Sequence, residues 1–370
     1  MSLPQLEGGY NRIGVKDIVA TLTDYLDDLT SRGQLVEDLG GQTLRCTACA
    51  HRCVIMPGRR GVCRVRFNRE GELRVPQGYV AGLNVDPIEK KPYYHFLPGS
   101  GALTFGMLGC NFHCEFCQNW ISSQVLRDPS VDAYDGMAHK ISAARIVDIA
   151  LKNHARVIAS SYNEPVITAE WAHEVFSLAK EKGLKCVMVS NGYATRECLE
   201  YLRPVMDGYK IDLKSMQDKN YRAMGGQLKH VLDSIQTAHD LGFWVEVVTL
   251  VIPGFNDSPS ELWEAARAIT AVSPEIPWHV TGFHPDYKMQ DGSPTHPSEL
   301  QQAADIGQEA GLKFVYAGNL SGRVGSLENT YCPACNTVLI ERRGYDIGES
   351  KILPDGTCPK CHQAIAGVWK

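Results

Sequence analysis

The sequence predicts an α/β protein: a partial (β/α)6 barrel with a cysteine-rich extension before it and a small ribbon after it. Three observations carry this expectation. From Ala102 onward, seven β-rich runs alternate with helical patterns, and such alternation builds a parallel sheet covered by helices. Polar residues gather just after those runs, where the C-terminal ends of the strands would lie. The thirteen cysteines fall into three spaced groups, leaving only Cys186 and Cys198 outside them.

The runs are ALTFGML, ARVIASSY, KCVMVSN, GYKIDL, FWVEVVTLVI, WHVTGF and KFVYAGN, separated by helical stretches such as SAARIVDIALKNH and ELWEAARAIT. Six or so such units suit a partial barrel better than a complete eightfold one, although an open doubly wound sheet carries the same alternation. Upstream, residues 10–39 repeat Ile18, Val19, Leu22, Tyr25, Leu26 and Leu29 at helical spacing before Gly40-Gly41 breaks the pattern. The expected organisation is therefore a helical arm and cysteine-rich extension over residues 1–98, the barrel over 99–325 and a ribbon over 326–370.

Bulk properties narrow the function. A chain of 370 residues with 44% hydrophobic content can bury a full core. Lys+Arg 37 against Asp+Glu 42 gives a net charge of -5, so no global positive field argues for nucleic acid or an anionic membrane. The N-terminal residues lack a cationic segment followed by an apolar run, and no stretch approaches the ~20 apolar residues of a membrane span. A cytoplasmic protein is expected. An odd cysteine count in such a chain fits metal ligation better than a disulfide framework.

The cysteine spacings differ in kind. Cys110, Cys114 and Cys117 lie in GCNFHCEFCQNW, directly after the first barrel strand. Three thiolates on one tight loop can hold three irons of a cubane cluster and leave the fourth open. A tetrahedral zinc would want a fourth ligand, and the loop offers only His113. Cys332-x-x-Cys335 and Cys358-x-x-Cys361 form two thiolate knuckles 22 residues apart, the spacing of a structural zinc ribbon. Cys46, Cys49, Cys53 and Cys63 are less regular; zinc, a second iron–sulfur cluster and no metal all remain open there.

C-x-x-x-C-x-x-C with an aromatic, Phe116, before the last cysteine resembles the radical S-adenosylmethionine (SAM) signature. The resemblance implies a TIM-like barrel and a 4Fe-4S cluster whose open iron is chelated by the amino and carboxylate groups of SAM. One electron then breaks the C5'–S bond, giving methionine and a 5'-deoxyadenosyl radical. Among relatives similar to the pyruvate formate-lyase-activating enzyme, the implied SAM contacts map onto Glu164, Ser190-Asn191-Gly192, Asp212 and Lys214, and His284. The family's Gly-Gly-Glu is Tyr162-Asn163-Glu164 here, so only the glutamate carries over. Alone, each has a plainer reading: Glu164 as a helix N-terminal acid, Asp212 and Lys214 as an exposed pair, and His284 as a structural histidine.

Taken together, CTACAHRC, GVCRVR, DPIEKKPYYHFLPG, GCNFHCEFCQN, YNEP, SNGY, IDLK and the paired CPAC and CPKC resemble the AmmeMemoRadiSam-system radical SAM enzymes over about residues 44 to 370. That implies an AMMECR1-domain protein and a Memo-like protein as companions, with a reductant such as flavodoxin or ferredoxin. The segment DPIEKKPYYHFLPG reads as a loop that gates substrate, docks a partner or is simply solvated. Hydrogen abstraction from a small molecule, peptide or nucleotide is the expected reaction. The alternatives are an activase that generates a glycyl radical on a partner, an RNA-modifying enzyme whose ribbon holds the RNA, and a metal-binding scaffold without catalysis.

Overall fold

A computed structural model describes residues 15–131 and 136–370, with side chains described from residue 22 onward. Its centre is an eight-stranded sheet: β1 (Gly82–Pro87), β2 (Gly101–Gly106), β3 (Val157–Ser160), β4 (Lys185–Ser190), β5 (Gly208–Asp212), β6 (Trp244–Val251), β7 (Trp278–Gly282) and β8 (Val315–Gly318). Each strand lies beside its neighbours in sequence. β2 to β8 are parallel, and they are the seven expected runs; β1 adds an antiparallel edge against β2. Six helices make the crossovers: α1 (Ala143–Lys152), α2 (Ala169–Glu181), α3 (Arg196–Leu202), α4 (Leu228–Asp240), α5 (Pro259–Val272) and α6 (Pro297–Glu309).

Local chemistry starts these helices where they begin. Ser142, Thr195 and Ser258 accept backbone N–H bonds at the starts of α1, α3 and α5, satisfying donors that have no intrahelical partner. Pro259 and Pro297 occupy the first turn of α5 and α6, where their missing N–H costs nothing. The first parallel strands bury apolar residues on both faces: Leu103, Phe105 and Ile158 join the main core with the helices, whereas Ala102, Val157, Ala159 and Val187 belong to a separate inner cluster.

That inner cluster corrects one expectation. DPIEKKPYYHFLPG is no solvated loop, because Ile88, Tyr93, His95 and Phe96 are fully buried. The segment plugs the lower barrel, with Ile88, Tyr93, Phe96 and Leu97 against Ala102, Val157, Ala159 and Val187. Glu246 on β6 fastens it: its carboxylate accepts the backbone N–H groups of Tyr94 and His95, both at 3.0 Å, and the indole N–H of Trp244 at 2.9 Å. His279 Nε2 lies 2.6 Å from the same carboxylate. Burial disfavours both charged forms, yet the surrounding donors hold the Glu246 carboxyl below its usual range, while burial keeps the His279 imidazole below its own.

The flanking segments pack onto this frame. The helical pattern expected over residues 10–39 ends at Asp28, and residues 10–14 lie outside the described part. Thr30–Arg32 instead pairs with Glu72–Pro76, and Val36–Asp38 with Leu44–Cys46. Gly33 permits this turn of direction, since a Cβ there would sit 2.8 Å from Leu73 and Val75. After β8, short hairpins carry the last four cysteines. Leu339, Ile340 and Ile365 pack with Tyr94 and Tyr316, and Val368 exchanges backbone hydrogen bonds with His95 and Leu97. Among the described residues, no helix is long and apolar enough to cross a membrane.

Replacing Glu246 with Gln puts an amide N–H among groups that all donate. We expect a loss of about 3 kcal/mol, read as an earlier chemical unfolding midpoint at unchanged slope. A loss below about 0.5 kcal/mol, the scale of an ordinary surface change, would remove Glu246 as the anchor of the plug.

Candidate active site at the cysteine loop

The C-terminal ends of the parallel strands surround a cavity of about 390 Å³ above the plug. Neighbouring strands are in register up to this rim: Ser160 lies level with Phe105, Ser190 with Ile211, and Asp212 with Val248. The loop after β2 brings Cys110, Cys114 and Cys117 to its wall, together with buried Phe116. Phe112 N–H donates to Cys110 Sγ at 3.3 Å, and Cys117 Sγ lies 3.2 Å from Ser123 Oγ. Burial raises all three thiols, Cys114 to about 12, with the Lys214 ammonium opposing the rise at Cys114 and Cys117. Ligation of a metal would draw the protons off such buried thiols.

Glu164 lines the same cavity and is buried. Its carboxylate accepts Ser190 Oγ–H at 2.7 Å, Asn191 N–H at 2.7 Å and Val166 N–H at 3.1 Å. Burial nevertheless pushes it up to about 7, so it would gain greatly from a cation brought beside it. The plainer reading holds as well, since the Val166 bond caps the turn that opens at Pro165. Asn191 Nδ2 donates to Asn111 Oδ1 at 2.8 Å, tying the end of β4 to the cysteine loop.

Asp212 and Lys214 lie on the same wall, and Lys210 completes a trio. Lys214 Nζ is 3.0 Å from Asp212, and Lys210 Nζ donates to the other carboxylate oxygen. Burial alone would raise Asp212, but the two ammonium groups outweigh it and hold it at about 2. His284 stands apart: it is exposed at the rim, with Nε2 3.1 Å from Gln118 Nε2, and does not line the cavity. The plug supplies the floor through Lys90, Lys91 and Pro92, and Tyr345 reaches the cavity from the C-terminal hairpins. Lys91 lies over the Tyr162 ring at 4.7 Å and is paired with Asp86 at 3.1 Å.

Lys210, Lys91 and Tyr345 were not among the expected site residues. Lys210 was findable, since alternation in KIDLK puts residues 210 and 212 on one face. Lys91 and Tyr345 reach the cavity only through tertiary packing.

The two outer cysteine sets differ in geometry. Cys332, Cys335, Cys358 and Cys361 are the one group of possible ligands, among the described residues, whose donor atoms all lie within 4.8 Å of one another. Cys332 and Cys361 are 3.5 Å apart and Cys335 and Cys358 3.7 Å, a separation that suits one tetrahedral ion. Of the N-terminal set, Cys46, Cys49 and Cys63 are buried and Cys53 half-buried.

Comparison with known proteins agrees with this constellation. Residues 105–269, from the end of β2 through α4 into α5, match the model of the radical SAM superfamily. An uncharacterized protein of Methanocaldococcus jannaschii is 38% identical over 308 residues, covering 83% of this chain and 90% of that one. The chain belongs to the radical SAM superfamily. The superfamily implies an enzyme that uses SAM and a 4Fe-4S cluster, and the donor set fits: three thiols of one loop at the wall of a strand-end cavity. Pyruvate formate-lyase 1-activating enzyme of Escherichia coli is 23% identical over 233 residues, covering 59% of this chain and 93% of that enzyme. A radical SAM methyltransferase structure from Sphaerobacter thermophilus aligns over 86% of this chain and 85% of its own, at 14% identity and a TM-score of 0.47.

Gly192 holds Asn191 and the end of β4 in place. Its φ is +75°, and a Cβ would meet Ile211 Cγ2 at 2.5 Å. Gly192→Ala is expected to lower stability by about 1–3 kcal/mol, measured by chemical unfolding. Unchanged stability would show that this turn is not fixed by the close approach.

Proposed function

We propose that this protein cleaves SAM reductively at a 4Fe-4S cluster held by Cys110, Cys114 and Cys117, and that the resulting 5'-deoxyadenosyl radical abstracts hydrogen from a substrate in the cavity. The observation that carries the proposal is the convergence of the three thiols, the Glu164 carboxylate and the Lys210–Asp212–Lys214 trio on one cavity. When bound, cluster and SAM supply one-electron cleavage of a sulfonium, which no protein side chain provides.

The chain's own residues then bind and exclude. Glu164 faces the position at which an ammonium group relieves its burial, which suits the amino group of SAM. Asp212 keeps a carboxylate for ribose hydroxyls and Lys214 an ammonium for the SAM carboxylate. Ser190 and Asn191 set the orientation of Glu164. Phe116, packed edge-on against Phe255 at 5.4 Å, gives an apolar flank. His284 belongs to this reading as a rim contact. The plug bars water from below, which a reactive radical requires.

Assignment to the AmmeMemoRadiSam system, with AMMECR1-domain and Memo-like companions and a flavodoxin or ferredoxin as reductant, rests on the motif set given above. Glycyl-radical activation of a partner is the second reading. It is favoured by the similarity to pyruvate formate-lyase-activating enzymes and to a putative glycyl-radical enzyme activating enzyme of M. jannaschii, 25% identical over 189 residues. The last four cysteines, on this account, hold structural zinc.

Anaerobic incubation of the iron-loaded protein with SAM and a low-potential reductant should yield 5'-deoxyadenosine. Cys114→Ala should abolish the yield, and Glu164→Ala should weaken SAM binding by about tenfold or more, the scale of one charge-assisted bond. Product formation by Cys114→Ala at the wild-type rate would refute the assignment. Metal analysis should find about one zinc in Cys114→Ala, released on loss of Cys358 and Cys361, as a four-thiolate site requires.

A further inference from the structure

The N-terminal cysteines have no part in the reading above, yet they are built into its centre. Cys46 ends the strand Leu44–Cys46, and its N–H donates to Cys53 O at 2.9 Å. Cys49 and Cys63, both buried, follow on the adjoining turns. Two N–H groups already point at sulfur: Arg66 Nε at Cys46 Sγ, 3.2 Å, and Val62 N at Cys53 Sγ, 3.5 Å. Arg66 is itself fully buried, and Glu170 grips its remaining nitrogens at 2.7 and 2.8 Å. N–H donors held on a buried, fixed frame and aimed at sulfur suit cysteines that ligate a cluster, whose sulfurs accept such bonds.

The set also touches the Cys110 loop at three points. Arg127 Nη2 donates to Val62 O at 2.6 Å and to Cys110 O at 2.9 Å, so one nitrogen joins the residue before Cys63 to the first cysteine of the other set. His51 Nε2 lies 3.0 Å from Asn111 O. Gly109 lies so close that a Cβ would meet Cys63 O at 3.1 Å and Val65 Cγ1 at 3.0 Å.

We infer that Cys46, Cys49, Cys53 and Cys63 hold a second iron–sulfur cluster, which passes electrons to the cluster at Cys110, Cys114 and Cys117. Zn–S bonds of ~2.3 Å set the sulfurs of a tetrahedral zinc site ~3.8 Å apart, and the C-terminal cysteines are drawn together on that scale. The N-terminal four, like the central three, are not gathered within 4.8 Å. Wider spacing suits a cubane, in which each thiolate stands one bond outside its own iron. In the relay, a low-potential one-electron donor reduces the second cluster by one electron. That cluster returns to its oxidised state as it reduces the first, and no proton or atom is exchanged. Half-buried Cys53 gives the donor side its access. The relay rests on the proposed cluster at the central triad; the second site does not.

The test uses the full chain, reconstituted anaerobically with iron and sulfide. Wild type should hold about eight irons, and Cys110→Ala/Cys114→Ala/Cys117→Ala about four with a paramagnetic signal on reduction that SAM leaves unchanged. Cys46→Ser/Cys49→Ser should keep the other, SAM-responsive signal, with its reduction by reduced flavodoxin slowed on the order of tenfold. The triple variant leaves the N-terminal set intact, so the inference stands or falls even if the double variant misfolds. No iron in the triple variant, with two zincs per chain, would overturn the second cluster; equal reduction rates would overturn the relay. If wild type still forms 5'-deoxyadenosine in either case, SAM cleavage survives the failure. Iron retained in the triple variant without 5'-deoxyadenosine from wild type would mean the reverse.

Discussion

The carboxylate of Glu246 is the fixed point from which the rest of the architecture follows. Seven parallel strands and one antiparallel edge do not close, so the interior of the barrel needs filling from outside the β/α pattern. Segment 88–97 fills it, and its backbone N–H groups at Tyr94 and His95 would be orphaned in an apolar interior without an acceptor. Glu246 provides that acceptor at its own desolvation cost, which four donors offset. Once the plug is seated, its upper residues become the floor of the cavity and its lower residues the surface on which the C-terminal hairpins pack. The cavity's depth and the placement of Tyr345 therefore both depend on one buried anion.

A division of charge runs up the barrel from there. The lower layer holds Glu246, ionised, beside His279 and His95, both kept below their usual range by burial. The upper layer holds Asp212 between two ammonium groups and Glu164 alone among neutral donors. Glu164 is the group left wanting a cation, and it lines the same cavity as the cysteine loop. Such an arrangement favours a zwitterionic ligand over a simple anion or cation, because each charge meets its complement on a different strand end.

The sequence carried the cavity half of this design openly. Strand runs, the cysteine loop and the polar residues after each strand are local patterns, and chain order becomes spatial order in a sequential parallel sheet. What stayed hidden was non-local. KKPYYHF lacks both helical and strand periodicity and is bounded by prolines, so it reads as surface; its density of aromatics was the signal that it is buried. Gly82–Pro87 became a strand only because β2 offers it an edge. The helical pattern continued past Asp28 in the sequence, but pairing with Glu72–Pro76 overrode it. His284 looked equivalent to the other strand-end residues and lies instead exposed at the rim, beside Gln118.

The most direct test of the central claim is hyperfine spectroscopy on the reduced, iron-loaded protein with SAM labelled at its amino nitrogen and carboxylate oxygen. Coupling of both labels to the cluster is predicted, because three cysteines leave one iron free to be chelated. A reduced cluster signal that neither label perturbs would contradict the account, since SAM would then bind elsewhere or not at all.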